Sequence, residues 1–327
     1  MLPDIIRLLV RYLILAVLVV LLNFFIPRLL PGDPLRSGGG EGLDAAVPLS
    51  TAATAQLRAY YHLDEPLVRQ LALYVGDLAQ GDLGRSIARP AGVSDLILDR
   101  LPWTLALLLG SLLVSAVGGT LVGIVAGWLP GQLRDRLLVF VASALVAIPE
   151  FLLAIGLLLV FAVGLGWFPL FGGQTIFTGD VGFLRSTLDI AWHLTLPATA
   201  LVLAGISAFV LLARDATVGL RYEPWLTVAR AKGLRERQIA WRHALPHITL
   251  PLLTFFGLRL GAVLGGALVV ERVFSVPGLG LLAYEAIRGR DYPVLQALFL
   301  LASLGVLAAN LFVELVYLRL DRRRGVA

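Results

Sequence analysis

Residues 223–247, EPWLTVARAKGLRERQIAWRHALPH, decide the fold, because they are the one long polar interruption in the apolar second half of the sequence. On both sides of this stretch lie apolar segments long enough to cross a lipid bilayer. The basic residues of the stretch outnumber its acids; they are Arg230, Lys232, Arg235, Arg237 and Arg242, against Glu223 and Glu236. Lys and Arg concentrate in the cytoplasmic connections between membrane spans. The stretch is therefore predicted to be a cytoplasmic loop of a protein that crosses the membrane several times.

Local signals predict that this loop folds into two short helices. Pro224 suits the first turn of a helix, and the residues after it mix aliphatic with basic side chains. Gly233 supplies the backbone freedom that a tight turn requires, and a second helix is predicted within residues 234–244. Such a loop is either a compact knob that contacts a partner or a basic amphipathic segment that rests on anionic lipid headgroups.

Composition places the chain among membrane proteins. It has 327 residues, 58% of them hydrophobic and 15% charged, with a formal net charge of +5. A mean hydropathy of +0.86 is that of a polytopic membrane protein, not of a soluble domain. The basic residues cluster at the ends of apolar spans, so they indicate topology and not nucleic-acid binding. Cysteine is absent, which excludes disulfides and thiolate metal sites.

Six membrane spans are predicted, which makes the protein an all-α polytopic membrane protein. The first apolar run has no small-residue cleavage site after it, so it is interpreted as a span and not as a signal peptide. Basic residues dominate the connections assigned to the interior, and this asymmetry predicts that both termini are cytoplasmic. The predicted spans are residues 12–26, 101–129, 137–165, 193–213, 248–270 and 294–318.

The chain is predicted to fall into two regions. Residues 1–100 hold the first span and a polar region that is predicted to lie outside the membrane, with short helices over residues 54–62 and 66–78. Residues 101–320 hold the other five spans and the loop, whose full extent is taken as 214–247. In the second span Gly119, Gly123 and Gly127 recur every four residues, which predicts close helix packing.

Two charged residues are predicted to lie inside the membrane. Glu150 falls at mid-height of the third predicted span, and Arg259 near the middle of the fifth. An ionised group there costs roughly 2.5 to 3.5 kcal/mol, so it should face a partner or a water-filled cavity. One interpretation is a polar translocation path lined by Glu150 with Arg259 as counter-ion. The alternatives are a structural ion pair between helices, or an Arg259 that lies less deep than this placement suggests.

The sequence carries no recognisable catalytic set. It has no phosphate-binding Gly-rich loop, no H-E-x-x-H pair and no nucleophile elbow. His243 and His247 are four residues apart, but metal ligation is a weaker interpretation there than capping or partner contact. No catalytic residue, bound cofactor or metal site is therefore predicted, and the chain cannot itself use ATP.

Several short stretches, in a fixed order, resemble the signatures of one family. PGDP (residues 31–34) follows the first span, and LDEPLVRQ (63–70) and GDLGRS (81–86) lie in the exterior region. VFSVPGLG (273–280) and RDYP (290–293) lie between the fifth and sixth spans. Together they are similar to the B-type permease subunits of the peptide and nickel family of bacterial ATP-binding-cassette (ABC) importers.

Within the loop, ARAKGL and RHALP resemble that family's form of the segment that docks on ATPase subunits. Thr227 stands where most importers have Glu, and His243 where they have an aliphatic residue. By the resemblance, Leu226, Val228 and Leu234 would fill a groove of the ATPase. The positions matched are Thr227, Val228, Ala229, Arg230, Ala231, Lys232, Gly233, Leu234, His243, Leu245 and Pro246.

The resemblance implies a type I ABC importer permease fold in the bacterial inner membrane. It further implies a homologous second permease subunit, two ATPase subunits that use ATP and Mg²⁺, and an exterior solute-binding protein. The implied substrate is a di- or oligopeptide, with nickel or a metal chelate as the alternative. The exterior region is either a stabilising lid or a surface that receives the binding protein.

Two functions of other classes stay open at this point. A self-sufficient ion-coupled transporter would use Glu150 as its coupling site and would work without partner subunits. A membrane-embedded enzyme is the weaker alternative, because no catalytic set is visible.

Overall fold

The computed structural model describes residues 2–29, 65–175, 182–221, 223–263 and 267–320, and this part of the chain is almost entirely helical. Within these ranges two π-helical stretches occur: Leu158–Gly164 continues α5, and Ile239–Ala244 joins α8 to α9. The helices are α1 (Leu2–Leu29), α2 (Leu67–Ala79), α3 (Val93–Trp128), α4 (Leu133–Ala147), α5 (Glu150–Leu157), α6 (Phe183–Leu220), α7 (Pro224–Ala231), α8 (Glu236–Gln238), α9 (Leu245–Ala262), α10 (Leu268–Phe274), α11 (Leu279–Arg288) and α12 (Tyr292–Leu320).

Five segments of these helices are long and apolar enough to cross a bilayer: Ile5–Phe25, Val93–Trp128, Phe183–Leu220, Glu236–Gly261 and Tyr292–Val316. A sixth span is formed if α4 and α5 are taken together, although the two helices meet at an angle of 96°. The all-α polytopic fold is thus confirmed. The predicted helix over residues 66–78 is confirmed as α2, whereas the one over residues 54–62 lies outside the described residues, as does PGDP.

The third predicted span is wrong as a continuous helix. It breaks at Pro149, which has no N–H to donate to the helix of α4. The residue before a proline is pushed to an extended backbone, and Ile148 has φ −88° and ψ 121°. Glu150 therefore stands at the first position of α5, at a break between two half-helices, and not in the middle of a straight span.

Several other span boundaries also differ from the prediction, and α1 and α3 begin ten and eight residues before the first and second predicted spans. Helix α6 starts ten residues before the predicted fourth span, and Pro197 lies inside it without ending it. The fifth span begins within the polar loop, at Glu236, and its helix ends at Ala262. The last residues predicted for that span, 268–270, belong instead to the separate helix α10.

Close packing of α3 against α6 forms the centre of the molecule. A Cβ atom at Gly123 would lie 2.5 Å from the carbonyl oxygen of Val210, and one at Gly127 would lie 2.6 Å from that of Arg214. Gly119 meets α6 in the same way one turn earlier. The contact partners differ by 87 residues at each turn, so the two helices run parallel. The prediction that these glycines serve helix packing is confirmed.

Candidate functional site

Helix α7 and the turn after it form one half of the loop, and their form matches the prediction. Pro224 occupies the first turn of α7, where its missing N–H costs no helical hydrogen bond. Gly233 has φ +75°, in the left-handed region that favours glycine. The N–H of Gly233 donates to the carbonyl of Arg230 at 2.9 Å, which closes the helix end. The loop therefore holds a defined shape.

The loop has an inner apolar face and an exposed outer face. Leu226 and Ala229 are buried with Ile239 of the second half, and Trp128 at the end of α3 packs against this cluster. Val228 is 52% exposed. The expectation that Leu226 fills a partner's groove is therefore wrong, because this side chain already fills the protein's own core. The predicted loop residues that are exposed are Thr227, Val228, Arg230, Ala231, Lys232, Gly233, His243 and Pro246.

Hydrogen bonds between charged groups tie the two halves of the loop together. The Nε of Arg230 donates to Oε1 of Glu236 at 2.8 Å, and the indole N–H of Trp128 donates to Oε2 of the same residue at 3.0 Å. The hydrogen bond to Glu236 raises the pKa of the Arg230 guanidinium. Glu236 thus joins α7, α8 and α3 at one point, and Arg230 is already bound within the loop.

The second half of the loop runs without interruption into a membrane span. Leu245 and Pro246 begin α9 directly after the π-helical stretch. His247 stacks on Trp225 with ring centroids 5.1 Å apart, and His243 is exposed. The described residues contain no group of three or more His, Cys, Asp or Glu side chains that could hold a metal ion.

A buried ion pair holds the base of the loop. Asp135 is 3% exposed and accepts hydrogen bonds from Nε and an Nη atom of Arg214, at 3.1 and 3.0 Å. The backbone N–H of Gly131 donates to the same carboxylate at 2.8 Å. This bidentate pair joins the start of α4 to the end of α6, close to the loop. No pattern in the sequence indicates that Asp135 and Arg214, 79 residues apart, meet.

The second candidate site is a cavity of about 480 Å³ next to the break between α4 and α5. Small and apolar residues of α3 and α6 form most of its wall, among them Ser111, Ser115 and Gly205. Glu150 and Arg259 both line it, so the structure brings together the two membrane charges that the sequence singled out. Arg259 lies with its guanidinium carbon 5.2 Å from the centroid of the Phe255 ring. Neither charge forms an ion pair within 4.0 Å with any residue that the structure describes.

Sequence reasoning missed a buried carboxylate at the opposite end of α3. Glu271 of α10 is fully buried, and its two oxygens accept from the hydroxyl of Thr104 at 2.9 Å and from the N–H of Leu281 at 3.0 Å. The Thr104 hydroxyl in turn accepts from the N–H of Leu279 at 2.7 Å. Gly278 lies against the carboxylate so closely that a Cβ atom would not fit. The glycines of the PGLG stretch thus leave room for the Glu271 carboxylate beside the start of α11.

A second buried carboxylate connects two of the stretches that carried the family resemblance. Asp291 of RDYP accepts from the Ser86 hydroxyl, and from the backbone N–H groups of Ile87 and Ala88 at 3.1 and 3.3 Å. It is 2% exposed. Ser86 and Asp291 are 205 residues apart in sequence, and their contact fixes the region before α3 on the start of α12.

Comparison with known proteins gives the family. Residues 119–326 match the family model described as "Binding-protein-dependent transport system inner membrane component". The chain is 36% identical to the di/tripeptide transport system permease protein DppB of Pseudomonas aeruginosa, over 91% of each chain. It is 33% identical to the oligopeptide transport system permease protein AppB of Bacillus subtilis, over 93% of each. It is also 35% identical to the glutathione transport system permease protein GsiC of Escherichia coli, over 92% of this chain and 91% of the relative.

Fold, loop and cavity together define a helical membrane permease, a transport component and not a catalyst. The chain belongs to the family of binding-protein-dependent transport system inner membrane components. The resemblance to ABC importer permeases is confirmed, and with it the location as a multi-pass protein of the inner membrane. Membership of this family also contradicts the interpretation of the chain as a self-sufficient ion-coupled transporter.

Proposed function

We propose that the chain forms the path through which an ATP-driven importer moves di- or oligopeptides, and that residues 223–247 couple this path to ATPase subunits. The observation that carries the coupling is a loop of fixed shape with an exposed outer face. Its apolar inner face is packed on Trp128, and its base is held by Asp135 and Arg214. A force on such a loop moves the attached helices instead of deforming the loop.

The relatives support a peptide as substrate. One is named for di- and tripeptides, one for oligopeptides and one for glutathione, which is itself a small peptide. None of these three names mentions nickel, so they do not support nickel or a metal chelate as the substrate. The described residues also offer no cluster of metal-ligating side chains, although a chelated metal would need none.

The proposed assembly has this chain paired with a homologous permease, two ATPase subunits and an exterior solute-binding protein. ATP and Mg²⁺ are bound by the ATPase subunits and not by this chain. Both termini and the loop lie in the cytoplasm, as the positive-inside rule requires. Residues 1–100 then form the first span with an exterior lid, and residues 101–320 form the transmembrane domain with the coupling loop.

Transport follows from alternating access. ATP-driven closure of the ATPase subunits would displace the loop, and the attached spans would move between inward and outward openings. The cavity lined by Glu150 and Arg259 is the part of this chain that is proposed to line the translocation path.

The coupling proposal is tested on the complex purified from its native membrane and reconstituted with the binding protein. Val228→Asp places a charge on the exposed face of α7 without touching the buried Leu226. We expect the ATPase subunits to co-purify poorly with this variant, and binding-protein-stimulated ATP hydrolysis to fall at least tenfold.

The matched control is Val75→Asp, which makes the same change at a position of similar exposure on α2. It should leave the association with the ATPase subunits intact. Normal association and turnover in Val228→Asp would refute the coupling role of α7.

A further inference from the structure

The cavity between α3, α5, α6 and α9 carries one acid and one base on an otherwise uncharged wall. Among the described residues that line it, Glu150 and Arg259 are the only charged ones, and the rest are apolar, small or hydroxyl-bearing. They approach the cavity from different elements, Glu150 from the first position of α5 and Arg259 from the last turn of α9.

The positions of Glu150 and Arg259 suit a bound ligand that contacts both of them. They share one cavity, yet they lie more than 4.0 Å apart and pair with no other residue in the described parts of the chain. Charges at membrane depth are costly, so they face partners or water-filled cavities. A ligand with a positive group at one end and a negative group at the other would compensate both at once.

We propose that this cavity binds the two charged termini of a short peptide, with the α-ammonium group at Glu150 and the C-terminal carboxylate at Arg259. This inference rests on the proposed function and names the part of the peptide that the permease itself recognises. The guanidinium of Arg matches a carboxylate through two parallel hydrogen bonds. The ring of Phe255 under Arg259 supports the guanidinium from one face.

The size and wall of the cavity fit such a ligand. Its volume of about 480 Å³ lies within the usual range of roughly 300 to 1,000 Å³ for small-molecule sites. Ala204, Gly205 and Ala208 of α6 contribute small side chains to the wall, beside Leu201 and Phe209 of the same helix. Because the described part of the wall carries no further charge, the site would bind the termini that all unmodified peptides share and tolerate many different peptide side chains.

The test measures peptide binding to the complete transporter in lipid nanodiscs, with the binding protein left out so that its own selectivity does not contribute. The probes are trialanine, N-acetyl-trialanine and trialanine amide, which differ only in their terminal charges. We expect the wild-type complex to bind trialanine about tenfold more tightly than either capped form, since a charge-assisted hydrogen bond is lost with each cap.

The variants assign each terminus to one residue. Glu150→Gln should abolish the preference for a free N-terminus and keep the preference for a free C-terminus, and Arg259→Gln should do the reverse. Arg259→Lys keeps the positive charge and should retain most of the preference for a free C-terminus. Both Gln substitutions are at exposed side chains, and the co-purification of partner subunits verifies that each variant is folded.

Two results would overturn the inference. One is an unchanged preference for free termini in both Gln variants. The other is an equal loss of binding for all three peptides in both variants, which would point to an ion pair that Glu150 and Arg259 form with each other in another state of the transporter. If the wild-type complex imports no peptide that its binding protein delivers, the proposed function itself fails; peptide import with either result above refutes only this inference.

Discussion

The buried carboxylate of Glu271 leads to a quantitative prediction about the end of the molecule opposite the loop. Glu271→Ala removes the acceptor for both the Thr104 hydroxyl and the N–H of Leu281. A buried donor left without a partner costs about 1 to 3 kcal/mol, so we expect α11 to be destabilised by about 3 kcal/mol. Since 1.4 kcal/mol is a factor of ten, hydrogen-exchange protection in α11 should fall by roughly a hundredfold.

The assay is hydrogen exchange with mass spectrometry on the purified transporter, following peptides from residues 279–288. Peptides from the middle of α3 serve as an internal reference, because the glycine contact with α6 does not depend on Glu271. The control variant is Glu285→Ala on the same helix, which removes partly exposed ion pairs with Arg89 at 2.7 Å and with Arg100 at 3.6 Å. Each such pair contributes about 0.2 to 1 kcal/mol, so the loss of both should lower protection no more than about thirtyfold, which is still less than the loss expected for Glu271→Ala. Equal protection in the two variants would refute the structural role of Glu271.

The burial of Glu271 also predicts that the stability of α11 depends on pH. Burial raises the pKa of Glu271 in the folded protein above its ordinary value. The folded state therefore binds this proton more tightly than the unfolded state does, and the stability of α11 is highest below the ordinary pKa of Glu, about 4.3, and falls as pH rises towards the folded pKa. Exchange protection, corrected for the intrinsic rate, should follow this trend in the wild type. Glu271→Gln should remove it.

Two further predictions concern glycines, and each has a matched control. Gly123→Ala puts a Cβ atom 2.5 Å from the Val210 carbonyl oxygen and should destabilise the α3–α6 contact by about 1 to 3 kcal/mol. The control is Gly110→Ala, whose Cβ atom meets nothing within 4 Å, so this variant should be neutral. Equal thermal unfolding midpoints for the two purified variants would contradict the packing account. In Gly233→Ala and in Gly219→Ala the added Cβ atom enters open space, but only Gly233 has a positive φ. Only Gly233→Ala should therefore lose about 1 kcal/mol or more of loop stability, measured as faster proteolysis within residues 223–247. Similar cleavage of both variants would refute the need for a left-handed residue at this position.

The sequence was sufficient for features that depend on local chemistry. Pro224 and Gly233 each restrict or free the backbone at their own position, so the start of α7 and the turn after it were predictable without any tertiary contact. The glycines of α3 were equally informative, since small residues four apart are enriched where membrane helices pack closely. The family resemblance also rested on short stretches that the sequence displays directly.

Features that depend on distant partners were not predictable. Glu271 and Thr104 are 167 residues apart, and Asp291 and Ser86 are 205 apart, so no pattern in the sequence indicates that either pair meets. The break at Pro149 has a local cause, but hydropathy does not register a change in direction, and a proline alone does not decide, because Pro197 lies inside α6 without ending it. Leu226 was assigned to the wrong face for a similar reason: a helix of eight residues does not reveal which of its sides the rest of the protein covers.

Because α8, the π-helical stretch and α9 are continuous, the fifth span is one helical segment whose first residues belong to the polar loop. From Glu236 to Arg259 the helical path covers 23 residue steps, or about 35 Å at 1.5 Å per residue. Each degree of tilt about the loop end would therefore carry the guanidinium of Arg259 sideways by about 0.6 Å. A rigid tilt of about 5° would displace this guanidinium by about 3 Å, the length of a hydrogen bond, so a small motion of the loop would change the position of Arg259 in the cavity.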